Sequence, residues 1–374
     1  MGIEISLCMI VKNEQDTLAA CLNSIQGLAD EINIVDTGST DSTLETAARY
    51  TDRLFHFDWI EDFAAARNFS FSKATKEYIL WLDADDVLTA ENRRKFLFLK
   101  ENIDPKYDFF LMEYYASFDK KGYPSLIFPK TRLVRRDAGH VWKGAIHEAL
   151  VGDGLGASID IYVTHTHKEL KSSNERNFAI LKRQIESGNA DMKDHFYYGL
   201  MLNFMDQPDE ALPYLNRFMT SPYRREFDGI EAYIAAHHIY RVKQDRENAL
   251  KVLKDNEAYM KDKSEYYCSL GFFYKEEMDD YERACACFKK ALHCQGTFLR
   301  QRLPGQRNAE YYYFVPYYAL GQCQVKLRRF DSALRYFRKA LEYRPNEQAE
   351  TLVKKLERFT TLRKQSESEE IYGH

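Results

Sequence analysis

Positive charge is not in excess here: 53 Lys and Arg stand against 57 Asp and Glu, a formal net charge of -4 over 374 residues. A protein that holds nucleic acid by neutralising phosphates carries a basic surplus or stripe, so nucleic acid is not an expected partner. Long apolar runs are missing as well. The longest, such as Tyr78 to Leu82, have the length of a strand and fall far short of the ~20 residues that span a bilayer, so no transmembrane segment is expected. The opening Met1-Gly-Ile-Glu-Ile-Ser lacks the charged and apolar regions of a secretory signal, and a cytoplasmic location is the expectation. The seven cysteines are odd in number, scattered and without a CxxC pair. They suggest neither a disulfide framework nor a zinc site. Cys285, Cys287 and Cys294 cluster on a helical pattern and read as packed thiols.

What is present divides the chain in two, as its length already suggests. The apolar run ending at Val11 is followed by Lys12-Asn13-Glu14 and a helical pattern through Leu18, Cys21, Leu22 and Ile25. Glu31 to Val35 is a second strand-like run, then a helix is predicted from Ser42 to Tyr50, with Asp41 or Ser42 as its cap. Arg53 to Phe57 reads as strand, Phe63 to Ala74 as helix and Tyr78 to Leu82 as strand. This alternation predicts βαβ units in a doubly wound, mainly parallel α/β sheet over residues 1–170. Chemistry in such sheets lies beyond the carboxyl ends of the strands, and each candidate strand here ends in a polar cluster.

From about Thr166 onward, helical spacing rich in Tyr, Phe and Ala takes over, and residues 171–374 are predicted to be all helical. Gly321, Ala333, Ala340 and Pro345 have the small-residue spacing of a thirty-four-residue helix-turn-helix unit. An earlier copy has Gly271, Ala284, Phe288 and Ala291, and weaker ones centre on Gly199 with Ala211 and on His237 with Ala249. These units resemble tetratricopeptide repeats, in which small residues let two helices approach and aromatics fill the gaps. Tyr197, Tyr198, Phe272, Phe273, Tyr311, Tyr312 and Tyr313 are read as packing rather than as a sugar-stacking platform. Cys294 to Ala309, with Gly296, Pro304 and Gly305, reads as an interrupting loop.

The segment Trp81-Leu-Asp-Ala-Asp-Asp86 carries the most chemical information. Acidic triplets are usually solvated turns, but here the carboxylates directly follow a buried pattern. Magnesium and manganese take oxygen ligands and keep places open for phosphate, which fits one or two carboxylates at a strand end. Asp36 opens Asp-Thr-Gly-Ser-Thr-Asp41, where two readings stand side by side: a carboxylate accepting the imide N–H of a uracil, or turn chemistry alone.

Four motifs, Ser6 to Glu14, Asp36 to Asp41, Asp62-Phe-Ala-Ala-Ala-Arg-Asn68 and Trp81 to Asp86, together resemble the catalytic domain of family 2 glycosyltransferases, which have the GT-A fold. With the repeats attached, the chain resembles tetratricopeptide-containing members such as the sublancin-type peptide S-glycosyltransferases. The resemblance implies an inverting transfer from a UDP-sugar, dependent on Mn2+ or Mg2+, to a peptide or protein side chain, Cys or Ser/Thr. It implies that the backbone at Ile10 and Val11, with Asp36, holds the base, and that Arg67 lies close to the nucleotide. Asp83 should face ribose and metal, Asp85 should ligate the metal, and Asp62 and Asn68 should shape the pocket. Trp142-Lys-Gly-Ala-Ile-His-Glu148 resembles the position of the catalytic base, although His147-Glu148 stands where many relatives carry Glu-Asp. Either Glu148 or His147 is then the base. Relatives often supply a late histidine to the metal, and alternation puts His165 and His167 on one face, with His165 preferred.

Two other classes compete. An adaptor would use the repeats to bind a partner and keep an inert N-terminal domain, against which the intact Asp36, Arg67, Asp83 and Asp85 speak. A nucleotidyltransferase of the same fold would carry a glycine-rich, basic phosphate loop after the first strand, where this chain has Val11-Lys-Asn-Glu. Oligomeric state is not written in these motifs, and a homodimer stands as an expectation.

Overall fold

The computed structural model describes residues 2–118, 122, 124–166, 171–225, 229–301 and 307–372. Two compact units emerge, one from Met1–Phe118 with Leu126–Asp194, the other chiefly from His195–His374. The first extends past residue 170 and so takes in the helix Lys171–Ser187. No helix among the described residues is long and apolar enough to cross a membrane.

In the first unit the branched run ISLCMIV becomes β1 (Ile5–Val11), buried along nearly its whole length because both faces are covered. The chain continues through α1 (Leu18–Ser24), β2 (Glu31–Asp36), α2 (Thr43–Ala47), β3 (Leu54–His56), α3 (Phe63–Phe71) and β4 (Tyr78–Trp81). Then follow β5 (Asp86–Val87), α4 (Ala90–Asn102), β6 (Phe109–Phe118), β7 (Pro124–Arg135), β8 (Val141–Lys143), β9 (Ala149–Val151), β10 (Gly156–His165) and α5 (Lys171–Ser187). The main sheet runs β3-β2-β1-β4-β7-β6-β10-β5. β1, β2, β3 and β4 are parallel, as are β6 and β10, whereas β7 lies antiparallel to β4 and β5 antiparallel to β10. The mainly parallel α/β sheet read from the sequence is therefore present, with antiparallel strands on one side. Strand order reverses between β1 and β4, so their carboxyl ends flank the crevice where ligands bind in such sheets.

At the opposite edge, Glu31 ties three segments together. Its Oε1 accepts from Ser6 Oγ at 2.7 Å, Asn33 Nδ2 at 2.8 Å and the Thr75 amide at 3.0 Å, and its Oε2 from Thr75 Oγ1 at 2.5 Å. Burial alone would raise its pKa, but these donors outweigh it and hold the carboxyl at about 2 instead of 4.5. A depressed folded-state pKa contributes stability above the unfolded value that disappears as pH falls. Urea midpoints of the native protein should accordingly drop between pH 4.5 and pH 2 by more than those of Glu31→Gln. Parallel pH profiles for the two proteins would contradict this.

The second unit pairs its helices as the spacing predicted: Met192–Phe204 with Pro208–Thr220, Ile230–Val242 with Arg246–Asp255, Ser264–Glu277 with Tyr281–Gln301, and Val315–Lys326 with Phe330–Tyr343, before Glu347–Tyr372. The small residues sit where the partner helix comes closest. A Cβ on Gly271 would meet the Phe288 ring at 2.8 Å, and one on Gly321 the Phe337 ring at 2.6 Å. In the weaker copy His237 replaces glycine, and its Nδ1 donates to the Ala249 carbonyl at 2.8 Å. The aromatics Tyr198, Phe273 and Tyr312 are buried. One expectation is corrected: the chain from Cys294 is helical as far as Gln301 rather than a loop. A glycine inside a helix costs only about 1 kcal/mol, too little to end a helix already running from Tyr281. Pro304 and Gly305 lie outside the described residues.

Candidate active site

The parallel register places Val11 opposite Asp36 and Cys8 opposite Trp81, so the polar ends of β1, β2 and β4 leave the sheet at one edge. There Lys12 to Gln15 is knitted to the loop after β2. The Asn13 amide donates to Ser39 Oγ, the Glu14 amide to Thr43 Oγ1, and Asn13 Oδ1 accepts from the Thr40 amide at 2.8 Å. Asp36 closes its own turn, accepting from the Gly38 amide at 3.1 Å and the Ser39 amide at 3.0 Å. Both Thr37 donors, amide and hydroxyl, bond the Val11 carbonyl. Turn chemistry thus occupies the Asp36 carboxylate and the Val11 carbonyl, and Ile10 precedes them at the half-buried end of β1.

Arg67 is the hub. It lies on α3, whose first turn is capped by Asp62 accepting from the Ala65 amide at 2.9 Å. Arg67 is 8% exposed, and its guanidinium lies against both Trp81 and Trp142, 4.8 and 4.9 Å from their ring centres, the two indoles meeting edge to face at 4.7 Å. Its Nη2 donates to Asp83 Oδ1 at 2.7 Å and its Nε to Glu148 Oε1 at 2.6 Å. Residues 81 apart in sequence, Arg67 and Glu148, are brought together because Asn68 pins the intervening strand. The Asn68 side chain donates to the Trp142 carbonyl and accepts from its amide, and the Phe63 amide bonds the Ala145 carbonyl. Burial favours the neutral forms of Arg67 and Asp83. Their mutual attraction, with Glu148 on the arginine and Lys130 and Arg132 on the aspartate, outweighs it and holds both ionised.

On the other side of the β4–β5 turn a second cluster forms. Asp85, Asp86 and His165 bring ligand atoms within 4.8 Å of one another. His165 Nδ1 is 3.3 Å from Asp85 Oδ1 and 3.8 Å from Asp86 Oδ1. Burial disfavours the imidazolium, yet the two carboxylates raise its pKa to about 10. His165 pairs with Asp86 across the β10–β5 ladder, and Thr166 fixes the Asp85 carbonyl through its amide and hydroxyl. Asp86 is fully buried against Arg132 at 2.8 Å, and its other oxygen, Oδ1, has no hydrogen-bond partner among the described residues. That open buried oxygen beside a second carboxylate and an imidazole fits a divalent cation, with the O,O,N donor set that manganese accepts. His167 lies outside the described residues.

His147, next to Glu148, adopts a left-handed backbone (φ 50°), as do Asn13 (φ 56°) and Glu61 (φ 61°). Such strain in non-glycine residues gathers at sites whose surroundings dictate geometry. Burial lowers the His147 pKa to about 4, and its carbonyl accepts from Lys193 Nζ at the end of the unit.

Residues 6–144 match the family model described as Glycosyl transferase family 2, and 264–292 and 315–347 match tetratricopeptide repeat models. The first unit carries a family 2 glycosyltransferase domain. The whole chain is 27% identical over 221 residues, 56% of its length, to the SPbeta prophage-derived glycosyltransferase SunS of Bacillus subtilis, and this covers 51% of that protein. It is 46% identical over 88 residues to a TPR repeat-containing protein of Synechococcus elongatus, covering 24% of this chain and 22% of the other. The chain thus matches about half or less of the length of these curated relatives. Among solved structures, S. aureus TarS 1-349 in complex with UDP-GlcNAc aligns with 67% of the chain and 90% of its own, at 18% identity and a TM-score of 0.39.

Three residues of the glycosyltransferase domain site escaped the sequence reading. Asp86 ends the Trp81–Asp86 segment but turns inward to Arg132, and Lys130, two residues before Arg132 on β7, lies over the Tyr114 ring at 4.1 Å and near Trp81. Burial, then the Arg132 charge, pushes the Lys130 ammonium down to about 8. Period-2 spacing of Lys130 and Arg132, which puts both cations on one face of the strand, is the signal the sequence offers.

Proposed function

We propose that the chain transfers a sugar from a UDP-sugar to a peptide or protein side chain by a single inverting displacement. The observation that carries this reading is the Arg67 fork, which joins Asp83 on the donor side to Glu148 and occupies the glutamate's Oε1. Asp85, Asp86 and His165 would hold Mn2+ or Mg2+, which supplies positive charge to the departing diphosphate. Asp83 and the backbone around Ile10, Val11 and Asp36 orient the nucleotide. Arg67 keeps Asp83 ionised and, bonded to both Asp83 and Glu148, fixes the spacing between donor and acceptor. Glu148 receives the acceptor's proton at Oε2 as the new bond forms on the face of the anomeric carbon opposite the leaving group, so configuration inverts. Trp81 and Trp142 exclude water around the guanidinium and strengthen both ion pairs.

A peptide acceptor with a Cys or Ser/Thr nucleophile is supported by the resemblance to sublancin-type S-glycosyltransferases and by the repeat unit, whose architecture suits extended chains. The test is intact-mass analysis of candidate peptides incubated with several UDP-sugars and Mn2+, alongside calorimetric titration of UDP. Mass increments of one hexose or N-acetylhexosamine with metal-dependent UDP binding are expected. UDP binding without hydrolysis or transfer of any donor would favour an inert adaptor instead.

A further inference from the structure

Lys130 is a cation that the ion pairs of the site leave over. It stands on β7, which runs antiparallel to β4 with Tyr78 opposite Arg135, Ile79 opposite Val134 and Leu80 opposite Leu133. The same offset sets Lys130 across from Asp83, at the edge where β4 delivers its carboxylates. The side chain is half-buried, and its ammonium lies 4.1 Å from the centre of the Tyr114 ring, 5.2 Å from that of Trp81 and 5.6 Å from that of Phe128. Electron-rich ring faces hold a cation in place. Among the described residues Lys130 makes no hydrogen bond and no ion pair, because Arg132 takes Asp86 and Arg67 takes Asp83. Burial and the Arg132 charge disfavour the ammonium, and Asp83 and Asp86 favour it only from a distance. A charge kept on those terms, with three N–H donors and no acceptor among the described residues, suits an anionic oxygen brought by a ligand.

Strand order says which part of a donor would bring it. Asp36 and the backbone of Ile10 and Val11, given above to the nucleotide, end β2 and β1, whereas β7 lies beyond β4. Three strand spacings of ~4.8 Å, about 14 Å in all, separate the β2 and β7 ends. A base held at Asp36 does not reach Lys130, and the far end of the diphosphate does. Tyr114 also meets the His165 ring at 6.0 Å, so the ammonium and the candidate cation cluster share one aromatic neighbour.

We propose that Lys130 is a catalytic residue of the transfer, its ammonium donating to the phosphate that bears the sugar. The bond from the anomeric carbon to that phosphate breaks with its electron pair staying on the phosphate oxygen, and the lysine keeps its proton throughout. The assignment rests on the glycosyl-transfer reading. It is tested on the full chain with Mn2+ by calorimetric titration of UDP, UMP and UDP-glucuronate into the native protein, Lys130→Met and Lys130→Arg. Lys130→Met should bind UDP at least about tenfold more weakly, as loss of a charge-assisted hydrogen bond does, with UMP affinity within about twofold of native. Its turnover of the UDP-sugar that the native protein consumes fastest should fall about a hundredfold or more, since charge grows on that phosphate as the bond breaks. Lys130→Arg, which keeps the charge, should recover part of both. Retained UMP affinity reports an intact nucleotide site. Unchanged UDP affinity or turnover in Lys130→Met, an equal loss for UDP and UMP, or a loss confined to UDP-glucuronate, which would give the lysine to a sugar carboxylate, each overturns the assignment and leaves the glycosyl-transfer reading standing. Native protein that binds no UDP, or consumes no donor, removes that reading and the assignment together.

Discussion

Replacing Asp85 by alanine will reduce donor turnover by roughly a thousandfold while leaving the thermal midpoint nearly unchanged, because a bound cation supplies several kcal/mol to the departing diphosphate. The separation of the two effects follows from the geometry. Among the described residues the Asp85 side chain touches the fold through a 3.3 Å contact with His165, whereas the bonds that anchor the turn run from Thr166 to the Asp85 backbone carbonyl and survive the substitution. Asp85 also lies close to Asp86, and the repulsion relieved by removing one of two neighbouring carboxylates offsets the attraction to the His165 imidazolium that is lost with it. The same logic makes added Mn2+ raise the thermal midpoint of the native chain and not that of Asp85→Ala. Turnover by Asp85→Ala in EDTA equal to that of the native protein with Mn2+ would remove the metal from the mechanism.

The sequence made β1 to β4 legible because each strand there is a short apolar run stopped by polar residues, and the spacing between them matches parallel crossovers. It made the repeat pairs legible because each small residue has a large partner at fixed distance, as Gly321 has Phe337. The stretch from residue 100 to 157 was opaque for a physical reason. β7 carries Lys130 and Arg132 on one face, and Arg132 is wholly buried against Asp86, Trp81 and Tyr114. A strand whose inward face is cationic does not look like a strand by hydropathy, and such local conflicts occur where a site has been built. Asp36 shows the converse. Its position at the end of β2 was readable, but whether its oxygens bond the Gly38 and Ser39 amides depends on a loop conformation that spacing does not specify.

Glu148→Gln should lower kcat by about 10²–10⁴-fold, the usual contribution of a positioned base, with the affinity for UDP and Mn2+ unchanged. Glutamine keeps an oxygen to accept from Arg67 Nε but cannot take a proton. The fork to Asp83 therefore stays assembled, and the loss reports proton transfer rather than collapse of the site. For a thiol acceptor, with a free pKa near about 8.5, the defect should shrink as pH rises and thiolate forms without help. For a hydroxyl acceptor it should not. His147→Gln should stay within a few-fold of the native rate, since burial holds that imidazole's pKa at about 4 and its strained backbone is fixed by Lys193 rather than by substrate. Measured kcat against pH for the two variants separates the candidates: a large loss in His147→Gln beside a near-native Glu148→Gln would make the histidine the base and reduce Glu148 to the counter-charge of Arg67.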